Sequence, residues 1–133
     1  MFTILIKIFF IAFFINLLYE LLHSLLYKTC EEASLKKYIY LIIKGAVFDG
    51  ISIVLIYFLS FLIFKAQNIF ENYFQLFFFF IISIIFAYLW EIYSLKSGKW
   101  QYTESMPKLF GSGITPLIQL ALTGILTFFV LLL

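Results

Sequence analysis

Glu20, His23, Asp49 and Glu91 are the residues of this chain best equipped to move protons, and each stands inside a long apolar run. Asn16, Lys44 and Gln119 share that setting. A charged side chain at the centre of a membrane helix costs roughly +2.5 to +3.5 kcal/mol on insertion scales, so the charged members facing lipid would together cost on the order of 10 kcal/mol. Such groups are expected to face one another, a partner or a water-filled cavity. Glu20 and His23 are three residues apart, which places them on one helical face. A carboxyl group and an imidazole in contact can share a proton, the equipment of general acid–base catalysis. The same four residues could also be read as an N/O metal site. Di-metal carboxylate bundles use two Glu-x-x-His units, and this chain has one His. No metal and no cofactor is therefore expected.

The elements that must position these groups are apolar helices. The chain has 133 residues, of which 65% are hydrophobic, 23% aromatic and 12% charged, with a mean hydropathy of +1.11. A soluble domain of this size carries far more charge. The pattern predicts an all-α integral membrane protein, with four transmembrane helices in an antiparallel bundle forming one domain over residues 1–133. The spans are expected at about residues 3–27, 38–64, 73–95 and 113–133. Each has about 20 residues or more, enough at 1.5 Å per residue to cross about 30 Å of hydrocarbon. The first run is too long for a signal peptide, has Lys7 as its only early basic residue, and is followed by no small-x-small site.

All basic residues are Lys. Residues 28–37 hold Lys28, Lys36 and Lys37, and residues 96–112 hold Lys96, Lys99 and Lys108, whereas the connection between them on the opposite side holds only Lys65. The positive-inside rule then puts loops 28–37 and 96–112 in the cytoplasm and both termini outside, in a multi-pass protein of the cell membrane. Cys30, the one cysteine, is expected as an ordinary reduced loop thiol with no disulfide. Tyr27, Tyr38, Tyr40, Trp90, Tyr93, Trp100 and Tyr102 fall near the same boundary and read as an interfacial aromatic belt. The run Phe77–Phe80 with Ile81 and Ile82 reads as lipid-facing. A net charge of +2 gives no argument for nucleic acid. The partners expected are membrane lipid, a hydrophobic small molecule, and further copies of the chain or another subunit.

Depth and facing agree. At 1.5 Å per residue from the cytoplasmic end, Glu20 and His23 lie roughly 5–10 Å in, Asp49 roughly 15 Å, Glu91 roughly 5 Å and Gln119 roughly 10 Å. The outer half has little beyond Ser and Thr. Asn16, Glu20, His23 and Tyr27 follow one helical stripe, as do Gly45, Asp49 and Ser52, then Ala87, Glu91 and Ser94, then Gln119, Thr123 and Thr127. Small and hydroxyl residues on such stripes permit close helix approach and interhelical hydrogen bonds. Lys44, about 140° round from Asp49 on a helix of 3.6 residues per turn, is expected to snorkel to the interface. The expectation is a polar pocket open to the cytoplasm, with Glu20, His23, Asp49 and Glu91 catalytic and Asn16, Trp100, Tyr102 and Gln119 binding substrate.

Residues 96–112 are too rich in special residues for a free linker. Trp90-Glu91 is followed by Gly98-Lys99-Trp100-Gln101-Tyr102, Met106-Pro107, Gly111-x-Gly113 and Pro116. Gly111 and Gly113 permit tight turns, and Pro116 suits the first turn of a helix. Over about residues 89–120 this pattern resembles the lycopene cyclase domain of carotenoid-biosynthesis membrane proteins. Glu91 matches that family's first acid, Gly98 the glycine before its aromatic pair, Trp100 and Tyr102 the pair, and Gly111, Gly113 and Pro116 its turn and proline. Phe48-Asp49 echoes the same acid in another helix pair. The family's acids after the proline help to protonate the polyene. Here the chain reads Pro116-Leu117-Ile118-Gln119, and Gln119 can hydrogen-bond but cannot supply that proton. The resemblance thus implies a related architecture with other chemistry.

Three function classes fit. One is an intramembrane acid–base enzyme, isomerase- or cyclase-like, on a lipidic or isoprenoid substrate, with Trp100 and Tyr102 faces stabilising a cation. Another is a non-catalytic subunit or assembly factor whose buried polar pairs fasten the bundle or meet a partner helix. The third is a small proton-coupled transporter built on Glu20, against which stands the clustering of polar groups in one half. The orientation has a direct check. Cys30 should react with a membrane-impermeant thiol reagent only after permeabilisation, and labelling in intact cells would invert the topology.

Overall fold

The computed structural model describes residues 1–133, and four of its helices are long and apolar enough to cross a membrane. They are α1 (Phe2–His23), α3 (Leu35–Phe64), α4 (Tyr73–Lys96) and α5 (Ile114–Leu132), with a single-turn α2 (Lys28–Glu31) after the first. Local signals set most boundaries. Ser34 Oγ accepts from Lys37 N at 3.4 Å, so α3 begins at Leu35, a few residues before the expected 38. Asn72 Oδ1 accepts from Phe74 N and Gln75 N at 3.0 and 3.2 Å and starts α4. Lys65 ends α3 in the left-handed conformation, with its N–H donating to Phe61 O. Pro116 stands in the first turn of α5.

The first helix ends earlier than its apolar run. Residues Ser24–Leu26 tighten into a 3₁₀ turn, and Tyr27 is extended, paired with Tyr102. The α-helical stripe from Asn16 therefore stops at His23 and does not reach Tyr27. The cause is non-local. Lys28 N donates to Gln101 O and Thr103 N to Leu26 O, both at 2.9 Å, while Gln101 N donates to Thr29 Oγ1 at 2.9 Å. Residues 101–103 thus bind the chain just after α1 and take backbone groups that the helix would otherwise use. The same segment continues into the hairpin β1 (Lys108–Leu109) and β2 (Ser112–Gly113). Its two-residue turn, Phe110-Gly111, has positive φ at both positions, 50° and 81°, the geometry that favours glycine. Gly113, expected to be a turn residue, is extended instead.

Helix α1 packs against α3 and α5, and α4 packs against α5 and α3. Their shared core draws on Ile8 and Ala12 of α1, Ile53, Ile56 and Tyr57 of α3, Phe79 and Ala87 of α4, and Leu120 and Phe128 of α5. Phe79 corrects the reading of the Phe77–Phe80 run as wholly outward. It is fully buried and meets Phe128 edge-on at 4.9 Å, whereas Phe77 is exposed. One residue of a helical run points inward whatever its neighbours do. The end of the molecule near Lys65 is also more polar than expected. Buried Gln75 donates to Ser60 Oγ at 3.3 Å and Ala66 O at 3.0 Å, and Tyr57 OH donates to Gln67 O at 2.7 Å. Both close the turn between α3 and α4.

Gly124 is where α5 meets the Phe79 ring, and a Cβ placed there would overlap that ring. Gly124→Ala should lower stability by about 1–3 kcal/mol through overpacking, measured by thermal unfolding in detergent. Phe79→Leu in the same background should recover part of the loss.

Candidate functional site

The groups singled out in the sequence come together at the end of the helices that carries Trp100. Gln119 of α5 is their hub. Its Nε2 lies 3.1 Å from Asn16 Oδ1, 2.9 Å from Glu20 Oε1 and 2.7 Å from Asp49 Oδ2. One side-chain amide thereby ties α1, α3 and α5 together. Asn16 is held in turn by its Nδ2 donating to Ala12 O at 2.9 Å. Glu20 uses its other oxygen, Oε2, for His23 Nε2 at 3.1 Å. His23 Nδ1 lies 3.3 Å from Thr115 Oγ1, and Tyr19 OH donates to Thr115 O at 2.6 Å. The imidazole is thus oriented from both sides. Gly45 makes room for this arrangement, because a Cβ there would stand 3.0 Å from Glu20 Cδ. The glycine lets the carboxyl group lie flat against α3.

Glu91 of α4 is the second centre. Its Oε1 accepts from Tyr27 OH at 2.9 Å, Trp100 Nε1 at 3.0 Å and Tyr102 OH at 2.5 Å. Tyr102 OH also accepts from Gly113 N at 2.9 Å, at the end of the hairpin. Burial, reinforced by the hydrogen bond to Glu91, pushes the Tyr102 phenol well above its ordinary pKa, so it remains a donor. The Tyr27 ring links the two centres, with its centroid 5.2 Å from that of His23 and 5.4 Å from that of Tyr102.

Between the centres lies a cavity of about 340 Å³ whose wall includes Glu20, His23, Asp49, Glu91, Gln119 and Trp100. All four residues expected to be catalytic line it. Of those expected to bind substrate, Trp100 and Gln119 line it, whereas Asn16 and Tyr102 stand behind Gln119 and Glu91 as their hydrogen-bond partners. Asp49 Oδ1 and Glu91 Oε2 receive no protein hydrogen bond. They are not sealed off, since the buried polar atoms without a partner are Gln75 Oε1, Ser83 Oγ and Ser94 Oγ. Each carboxyl group thus keeps an oxygen free toward the cavity.

Several wall residues were not singled out for this role in the sequence. Phe48 of α3 stacks on Trp90 at 4.5 Å and on Phe86 at 6.2 Å, forming an aromatic wall between α3 and α4. Trp90 adjoins Glu91 in sequence, which was the available signal. Phe48 and Phe86 look like any lipid-facing Phe. Lys44 leaves the polar stripe as its helical angle requires and is exposed, yet it lines the cavity. Cys30 also lines it, half-buried, with its thiol pKa pushed up by burial and by the Glu20 charge. No three His, Cys, Asp or Glu side chains gather at metal-ligating spacing.

Glu91→Leu removes the acceptor of three donors at once. With about 1–3 kcal/mol for each group left unsatisfied, the variant should lose several kcal/mol, read as a lower melting temperature in detergent. Protease should then cut residues 97–113 first. Glu91→Gln, which keeps an acceptor oxygen, should fall between it and the parent chain.

Comparison with protein-family models, with curated proteins and with solved structures finds no match to this chain.

Proposed function

We propose that the chain is a membrane-embedded acid–base enzyme, isomerase- or cyclase-like, acting on a lipidic or isoprenoid substrate from a pocket open to the cytoplasm. The helices α1, α3, α4 and α5 cross the bilayer alternately as an antiparallel bundle, with residues 28–34 and 97–113 on the cytoplasmic side. The outward surface supports burial in a bilayer, since it is dominated by large apolar side chains such as Phe2, Phe14, Leu22, Leu55, Phe77 and Phe129; the cytoplasmic side is assigned from the lysines of the two loops. The observation that carries the chemistry is the convergence of Glu20, His23, Asp49 and Glu91 on one cavity with an aromatic wall.

The mechanism follows from hydrogen counting. The Gln119 amide has two hydrogens for three acceptors, Asn16 Oδ1, Glu20 Oε1 and Asp49 Oδ2. A proton shared by the Glu20 and Asp49 carboxyl groups supplies the missing hydrogen. Transfer of that proton to a carbon–carbon double bond would leave a carbocation against the faces of Trp90 and Trp100. Loss of a proton from a neighbouring carbon to a carboxylate oxygen then shifts the double bond or closes a ring. The proton is returned, and no oxidant or reductant is consumed. The resemblance around Glu91, Trp100 and Tyr102 supports an isoprenoid-like substrate. Gln119, where that family carries acids, supports a different proton donor, the Glu20–Asp49 pair.

A second reading is a non-catalytic subunit or assembly factor, favoured by the way Glu91 Oε1 spends itself on three donors of its own chain. Lipid extracts separate the two. A strain overproducing the chain should accumulate an altered lipid, and Glu20→Gln or Asp49→Asn should cut its yield by roughly 10²-fold or more at unchanged abundance in the membrane. Unaltered lipids in both overproducing and deletion strains, with a partner co-purifying at fixed stoichiometry, would establish the subunit reading instead.

A further inference from the structure

We infer that Lys44 and Lys99 form an anion site at the mouth of the cavity, taking the phosphate headgroup of an amphiphile whose chain lies along the Phe48, Phe86 and Trp90 wall. The inference rests on the acid–base reading for what is done to the ligand, and it names the ligand's class. Both lysines line the cavity and both are exposed, one from α3 and one from the segment after α4. Neither is neutralised, since the ion pairs of the chain are His23–Glu20 and Lys28–Glu32. Each is instead oriented by aromatic rings. The Lys99 ammonium lies 4.4 Å from the Trp90 centroid and 4.9 Å from that of Tyr93, and the Lys44 ammonium lies 5.7 Å from that of Tyr40. Cation–π contacts steer a charge without cancelling it, so two compact cations, each with three N–H donors, remain for an anion.

The apolar wall of the cavity lies between α3 and α4. Phe48 of α3 and Phe86 of α4 both line the cavity, and Phe86 is 37% exposed, so the cavity runs along the seam between the two helices. An apolar chain can lie along that wall. Lys44 precedes Asp49 by five residues, about 7.5 Å along α3. Glu20, Asp49 and Glu91 repel an anion from the depth of the cavity, while the lysines attract it at the rim. The headgroup is thereby kept shallow, and a carbon several bonds along the chain is brought level with Asp49. Two unpaired cations match a dianionic phosphate monoester, whereas a neutral alcohol leaves both without a counter-charge.

Trp90 and Trp100 are the only two tryptophans of the chain and both line the cavity, so intrinsic fluorescence reports its occupancy. The full chain in zwitterionic nanodiscs would be titrated with dodecyl phosphate, dodecanol and inorganic phosphate. Dodecyl phosphate should shift the tryptophan emission, and Lys44→Gln with Lys99→Gln should weaken its binding about thirtyfold. Dodecanol should bind the two proteins alike and more weakly, and the double Lys→Arg variant should bind dodecyl phosphate nearly as the parent does. Unchanged affinity in the double Gln variant overturns the site, as does dodecanol binding as tightly as its phosphate. Inorganic phosphate matching dodecyl phosphate overturns the amphiphile. Asp49→Asn should still bind dodecyl phosphate while making no altered lipid. Loss of the headgroup site and loss of the acid–base chemistry are therefore separate outcomes.

Discussion

A carboxyl group in an apolar interior must find hydrogen-bond donors or it destabilises whatever holds it. This chain has three such groups within reach of one cavity, and much of its architecture is the supply of donors to them. Gln119 serves Glu20 and Asp49 from a third helix. Tyr27, Trp100 and Tyr102 serve Glu91 from two connections. Removing the carboxyl groups would also remove the reason for Gln119 to sit at the helix crossing and for residues 97–113 to fold back over the cavity. Contacts between apolar faces bring the helices together, but such contacts are non-directional. The polar contacts select one register among the many that apolar packing would tolerate.

The two centres solve the same problem differently. At Glu91 three donors converge on a single oxygen, all from parts of the chain outside the long helices or at their ends. The result is a latch that turns a connection into a wall. At Glu20 and Asp49 the donors fall one hydrogen short of the acceptors. Under the proposed acid–base function, the latch positions the wall and the cluster short of one hydrogen stores the proton. The division agrees with the free oxygens on Asp49 and Glu91, which leave each centre one acceptor toward the cavity. It also gives the aromatic pair Trp100 and Tyr102 unequal duties. Trp100 lines the cavity, whereas Tyr102 bonds both Glu91 and the backbone of Gly113.

The sequence by itself determined the four long apolar helices and the residues that would meet. Helix length and composition are local properties, and a polar residue in an apolar stripe has few places to go. Asn16, Glu20, His23, Asp49, Glu91 and Gln119 could be chosen on that ground alone, because the cost of burying them is independent of the partner found. What only the tertiary structure decided depends on long-range contact. The unwinding at Ser24–Leu26 and the extended Tyr27 come from residues some seventy-five positions away, and no local propensity announces them. The inward turn of Phe79, the aromatic wall of Phe48, Phe86 and Trp90, and the place of Lys44 on the cavity wall follow from how the helices are rotated against one another. Apolar side chains cost little on either face of an apolar helix. Their sequence therefore carries no sign of which way they point, and the packed neighbours settle it.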